Sequence, residues 1–245
     1  MVHDADPADI DLGEPGSSAR AEYERRLRSD AEHRRRRFGH LFAPVVSALA
    51  GIRPSTARWR TGGLAEERVG RLLSEAVGDR GFVLHDRAVP RSRANLDHIA
   101  IVPSGVWVVD TKRYRGRVRR GLPAGRLVGR RTLVVNGRDR GELVTAARRQ
   151  RVLVESATGP GVEVRAVLCF ADAEWGLAPR PFSVRGVAVT WPKALVRRLA
   201  GPGPVGPDRR HALATSIARA FPPRTARPGG EPRSRADVRG AHRRA

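Results

Sequence analysis

Lysine, cysteine and long apolar runs are all scarce in this 245-residue sequence. Its single cysteine, Cys169, excludes an internal disulfide and a cysteine-built zinc cluster. Set in the apolar run VRAVLCFA, it reads as a small buried side chain. The apolar stretch LFAPVVSALAG has only about half the residues needed to cross a bilayer and contains a proline. The start, MVHDADPADIDLGEPGSS, is acidic and lacks the charged-then-apolar order of a signal peptide. These absences set the expectation of a soluble, cytoplasmic chain with no stable membrane insertion. There is also no GxxxxGK[ST] loop and no GxSxG elbow, so nucleotide hydrolysis and acyl transfer have no motif behind them.

What is present in excess is arginine. The formal net charge is +22, and of 47 basic residues only Lys112 and Lys193 are lysine. Part of that arginine, together with abundant Ala, Gly, Pro and Val, matches the residue usage of a GC-rich genome. The remaining field still attracts polyanions, nucleic acid first and anionic lipid second.

The chain divides by composition. Residues 1–17 are polar and read as disordered, residues 18–59 as a basic helical extension, residues 60–221 as the folded domain, and residues 222–245 as a disordered basic tail. Within the extension, residues 18–39 carry Glu and Arg at helical spacing, Leu41 to Ala50 suggests a second short helix, and residues 52–56 a connector. Within the domain, LAEERVGRLLSEAVGD has a 3.6-residue apolar period and predicts a helix. GFVLHDRAVP, NLDHIAIV and GVWVVDTKRY predict three strands, the last two joined as a hairpin through PSG. Both faces of that hairpin are apolar, which implies a sheet covered on both sides. An Arg- and Gly-rich excursion follows over residues 115–140, with one short strand at LVV. Then come a helix at GELVTAARRQRVLVESAT, strands at VEVRAVLCFA and GVAVTW, and helices at PKALVRRLAG and residues 208–221. This is an α/β order of helix, three antiparallel or mixed strands, helix and strand, with an extra C-terminal strand and helices.

The chemistry concentrates in the hairpin. With a two-residue Ser104–Gly105 loop, Asp97 pairs with Lys112 and Ile99 with Asp110, so both aspartates and the lysine share one face. An odd loop would separate them. Two carboxylates can hold Mg²⁺ or Mn²⁺ through hard oxygen ligands, and a lysine beside them can orient a nucleophile or stabilise developing charge. Lysine is informative here because the chain otherwise uses arginine almost exclusively, and a compact ammonium acts differently from a planar guanidinium. The alternative is an internal Asp–Lys ion pair. Glu66 shares a helical stripe with Gly70, Leu73 and Val77, whereas Glu67 shares one with Arg71 and Ser74. Glu66 is therefore the acid that can reach the site as a third metal ligand; an ordinary first-turn glutamate is the competing reading. Gln150, on the second helix of the domain, is placed to contact phosphate or the nucleophilic water. His85 and His98 lack zinc-ligand spacing and read as packing or hydrogen-bonding residues.

GGLAEERVGRLL and HDRAVPRSRANLDHIAIVPSGVWVVDTKRYRG resemble the nuclease-related domain family, and the likeness continues through NGRDRGELVTAARRQ and VRAVLCF. GVAVTWPKAL is similar to the extended form of its actinobacterial members. The resemblance implies a restriction-endonuclease-like core of the PD-(D/E)xK kind, with motif positions at Glu66, Asp97, Asp110, Lys112 and Gln150. Two departures stand out: Asp110 replaces the glutamate common in the third motif, and GGLAE replaces GAxGE. The expected activity is metal-dependent hydrolysis of nucleic acid, DNA above all. A binding module that does not cleave and a membrane-surface protein are the alternatives.

Overall fold

A computed structural model describes residues 10–50, 54–92, 94–122, 124, 125, 128, 129 and 131–224, except the side chains at 34, 35 and 37–62. Residues 1–9 and 225–245, assigned above to disordered ends, lie outside it, as do the side chains of Leu41–Ala50.

Two long helices lead, α1 (Ser17–Ala50) and α2 (Pro54–Val77). Strands β1 (Phe82–Ala88), β2 (Asn95–Val102) and β3 (Gly105–Lys112) follow as an antiparallel meander. A small sheet of β4 (Val118–Gly121), β5 (Thr132–Val135) and β6 (Arg138–Asp139) precedes α3 (Gly141–Thr158). Then come β7 (Val164–Phe170), β8 (Phe182–Val184), β9 (Val187–Thr190), α4 (Pro192–Leu199) and α5 (Pro207–Ala220). The main sheet has the order β1-β2-β3-β7-β9-β8, with β3, β7 and β9 parallel. The expected α/β class and core order are therefore present, with β4, β6 and β8 added to the strands read from the sequence.

The sheet is covered on both sides, as its apolar strands require. Val83, Ala100, Trp107, Val109 and Cys169 pack against Val69, Leu73 and Val77 of α2 and Leu195 and Leu199 of α4. On the other face, Leu84, Leu96, Ile99, Ile101 and Val108 pack against Val154 of α3 and Leu213 and Ile217 of α5. The Val118, Leu133 and Val135 side chains of the small sheet join Val144 and Ala147 of α3 over β7.

Three departures from the expected organisation have physical causes. α2 begins ten residues earlier than its apolar period, running straight through Gly62–Gly63. A Cβ at Gly63 would lie 3.0 Å from that of Ala19, so this glycine serves a close approach of α1 and α2 rather than a break. α1 is one helix across both segments read separately. Residues 10–16, expected to be disordered, are docked. The Leu12 carbonyl accepts a hydrogen bond from the His85 amide at 2.7 Å, Ile10 packs on the core, and Pro15 sits where a side chain on Gly70 would collide with it.

Candidate active site

The site begins with a fault in strand alternation. Leu84 and Arg87 on β1 are three apart, yet both face α5, Arg87 through hydrogen bonds to the carbonyls of Ala218 and Phe221. On β2, Leu96 and Ile99 are likewise three apart and share one apolar cluster. Regular strands alternate faces at every residue, so each strand takes one residue out of alternation. Those residues are Asp86 and Asp97, the level at which the β1–β2 pairing skips between His85↔His98 and Arg87↔Leu96. Asp86 sits at φ 46°, a left-handed conformation that is uncommon away from glycine.

The two aspartates leave the sheet for different purposes. Asp86 is buried and accepts hydrogen bonds from Ser17 Oγ at 2.6 Å, the Ser18 amide at 2.5 Å and Asn95 Nδ2 at 3.0 Å. It thereby caps the positive N-terminal end of α1. Asp97 turns toward β3, where its carboxylate accepts the Thr111 amide at 2.9 Å. The backbone ladder between β2 and β3 ends one step earlier, at His98↔Val109, whereas β3 stays paired with β7 through Lys112↔Phe170. Asp97 thus occupies the point where β2 and β3 part.

The hairpin register differs from the one derived above. The observed pairs Val102↔Gly105 and His98↔Val109 make the loop Pro103–Ser104, so Asp97 is level with Asp110 rather than Lys112. The shift is by two residues, which preserves parity. Asp110 and Lys112 pair with Leu168 and Phe170, whose side chains face α3. Their own contact is an ion pair with Lys112 Nζ 2.5 Å from Asp110 Oδ1.

Glu66 reaches the same neighbourhood from α2. It is buried, and its Oε1 has no hydrogen-bond partner. Burial, then the charges of Asp86 and Asp110, raise its pKa from 4.5 to about 8 against the opposing Gly16 amide and Lys112. Burial, then Glu66 and Asp110, likewise hold Asp97 well above the ordinary carboxylate range. The Lys112 pKa is raised as well: burial opposes its charge, but Asp110 and Asp97 outweigh it. Three acids thus face one ammonium. Hard oxygen donors with excess negative charge and an unpaired buried carboxylate oxygen are a donor set that fits Mg²⁺ or Mn²⁺. Among the described residues, no three His, Cys, Asp or Glu side chains are already gathered as a metal-holding group. Mg²⁺ commonly keeps several waters and takes only one or two protein carboxylates.

Gln150 is not drawn into this cluster. It lies half-buried on α3 between Ala147 and Val154, on the side turned to the sheet, and makes no hydrogen bond to Asp97, Asp110 or Lys112. His85 and His98 form a cross-strand pair on the α2 side, with their Nδ1 atoms 2.9 Å apart and Ser74 Oγ 2.9 Å from His85 Nε2. Burial and Arg87 depress the His85 pKa to about 4, and burial and His85 hold His98 well below its usual value.

Sequence reasoning assigned no role to Asp86, Arg87 or Asp172. Arg87 is fully buried and clamps the lead and α5 through the carbonyls of Phe221, Asp11 and Ala218 at 2.6, 2.8 and 3.1 Å. Asp172, just past β7, joins Arg68 of α2 at 2.5 Å and Arg113 at 2.8 Å; burial raises its pKa, but the two hydrogen-bonded guanidiniums together outweigh it and lower it. The signal for Asp86 and Arg87 was three consecutive ionisable residues, His85 to Arg87, inside an apolar strand.

An α/β core whose parted strands gather acids and a lysine between two flanking helices defines the molecule as nuclease-like in architecture. Residues 61–171 match the family described as nuclease-related domain. The match spans α2 from its glycine pair through β7, and so contains Glu66, Asp97, Asp110, Lys112 and Gln150. No curated protein and no solved structure matches the chain. No helix among the described residues is long and apolar enough to cross a membrane.

Proposed function

We propose that this chain hydrolyses phosphodiester bonds in nucleic acid, DNA above all, with Mg²⁺ or Mn²⁺ at a site of the PD-(D/E)xK kind. The observation that carries the reading is the convergence of Asp97, Asp110 and Lys112 where β2 parts from β3, beside a buried Glu66 whose Oε1 lacks a partner. Asp97 and Asp110 would hold the cation, with Glu66 as a third ligand. When bound, it would screen the phosphate and lower the pKa of its water. Lys112, kept protonated by Asp110 and Asp97, supplies a positive charge to a phosphate oxygen or orients the attacking water. Gln150 lies on the helix that covers the same face and would act on phosphate or water only after a side-chain movement. The arginine-rich surface supplies backbone contacts that weaken with salt. A cytoplasmic setting accords with such a substrate.

Purified full-length protein should nick plasmid or degrade single-stranded DNA with Mg²⁺ or Mn²⁺ and stop when the metal is chelated. Asp110→Ala and Lys112→Ala should remove that activity while leaving the fold intact; full activity in both variants refutes the mechanism. One observation favours a second reading. Lys112 already occupies Asp110, and no metal cluster is preformed among the described residues. A non-cleaving nucleic-acid-binding module would show salt-sensitive binding that survives Asp110→Ala and no cleavage under any metal.

A further inference from the structure

Three parallel strands end together next to Lys112: β3 at Lys112, β7 at Phe170 and β9 at Thr190. Ligands of α/β sheets bind beyond such carboxyl ends. Immediately beyond them lies a row of rings. Tyr114 packs on Phe170 with centroids 5.8 Å apart, Phe170 on Trp175 at 6.3 Å, and Trp175 on Trp191 at 4.9 Å. Phe170 is fully buried, but Tyr114, Trp175 and Trp191 each keep part of their surface exposed. The Trp175 indole N–H has no acceptor, although buried indoles ordinarily find one.

Cationic groups border this row. Arg140 lies over the Tyr114 ring, 5.4 Å from its centroid. The segment Gly116–Val118, which opens the small sheet, is hydrogen-bonded to Glu174 beside Trp175 at 2.9 and 3.0 Å. Exposed Arg117 ends 3.6 Å from where a side chain on Gly176, next to Trp175, would begin, and among the described residues neither it nor exposed Arg115 has a carboxylate within ion-pair distance. Rings bordered by guanidiniums suit a strand whose bases are free to stack and whose phosphates face cations. A duplex offers the phosphates but keeps its bases stacked on one another, so arginines alone would not separate the two forms.

We propose that Tyr114, Trp175 and Trp191 form a stacking ledge for unpaired bases, making single-stranded nucleic acid the preferred substrate of the neighbouring site. This rests on the reading of that site as one that hydrolyses nucleic acid. Binding is tested apart from cleavage in full-length Asp110→Asn without divalent metal, by titrating a short single-stranded oligodeoxynucleotide and its blunt duplex at one salt concentration. The single strand should quench tryptophan emission and bind about tenfold more tightly than the duplex. Trp191→Leu and Trp175→Leu should each lose most of that preference while binding duplex as before. Equal affinity for the two forms, absence of quenching, or an undiminished preference in both variants overturns the ledge. Trp175 also packs on Phe170 and Phe182; if its variant fails to fold, the quenching titration and Trp191→Leu decide. Failure of the wild type to cleave counts against the proposed function alone, because the ledge is read where cleavage is disabled.

Discussion

Replacing Glu66 by glutamine should stabilise the protein. Its carboxyl titrates at about 8 in the folded chain against 4.5 as an ordinary side chain, because burial and the charges of Asp86 and Asp110 disfavour ionisation. A raised carboxyl pKa means the folded state holds the proton more tightly than the unfolded state. Its contribution to stability is therefore lost as pH rises from 4.5 toward 8. At pH 7, folding must reprotonate or desolvate a group that is ionised in the unfolded chain. The cost is roughly 3 kcal/mol at pH 7 and under about 1 kcal/mol at pH 5, at about 1.4 kcal/mol per pH unit. Glutamine has the same shape and carries no charge to desolvate.

In the presence of a chelator, Glu66→Gln should then raise Tm by roughly 5–10 °C near neutral pH and by little at pH 5. Calorimetry or circular dichroism melts at the two pH values measure this directly. A Tm that falls at neutral pH, or a gain independent of pH, would refute the electrostatic account of Glu66. Under the proposed function the same variant should lose cation affinity, so stability and activity move in opposite directions. Strain of this kind is expected where a site awaits a ligand.

Two other perturbations probe what holds the acids in place. Asp86→Ala leaves Ser17, Ser18 and Asn95 without their shared acceptor and uncaps α1, which should cost about 2–4 kcal/mol; an unchanged denaturation midpoint would show that the cap is idle. The buried imidazoles act on the acid side: with the His85 pKa lowered from 6.5 to about 4, its contribution is intact above pH 6.5 and lost as pH falls toward 4. That loss is about 2 kcal/mol by pH 5 and opposes the Glu66 trend, so denaturant titrations should show it most clearly in Glu66→Gln, and a flat profile there from pH 6.5 to 5 would contradict it.

How much of this was legible in the sequence depends on what each element rests on. Val69, Leu73 and Val77 announce a helix because one side of it is buried, and β1 to β3 announce strands because both faces of the sheet are covered. Glu66 could be preferred to Glu67 on the same ground. Periodicity does not register close approach, so the apolar pattern reads as a helix only from Leu64 although the helix runs through Gly63, which lets α1 lie against α2. Nor does it register an interruption: alternation put Asp97 on a regular strand face, and a paired loss of alternation at Asp86 and Asp97 turns it toward β3 instead. Ionisable residues in strands this apolar are costly to bury, and their presence is the surest mark of the site. That mark stood equally at His85, Asp86 and Arg87, where the carboxylate caps a helix and the guanidinium ties the lead to α5. Buried charge alone thus locates the strained region; separating the acids with an unmet oxygen from those that already have their partners requires the contacts themselves. Asp86 is satisfied by three donors, whereas Glu66 has a buried oxygen with none. That difference assigns the first to the scaffold and makes the second a candidate for the chemistry.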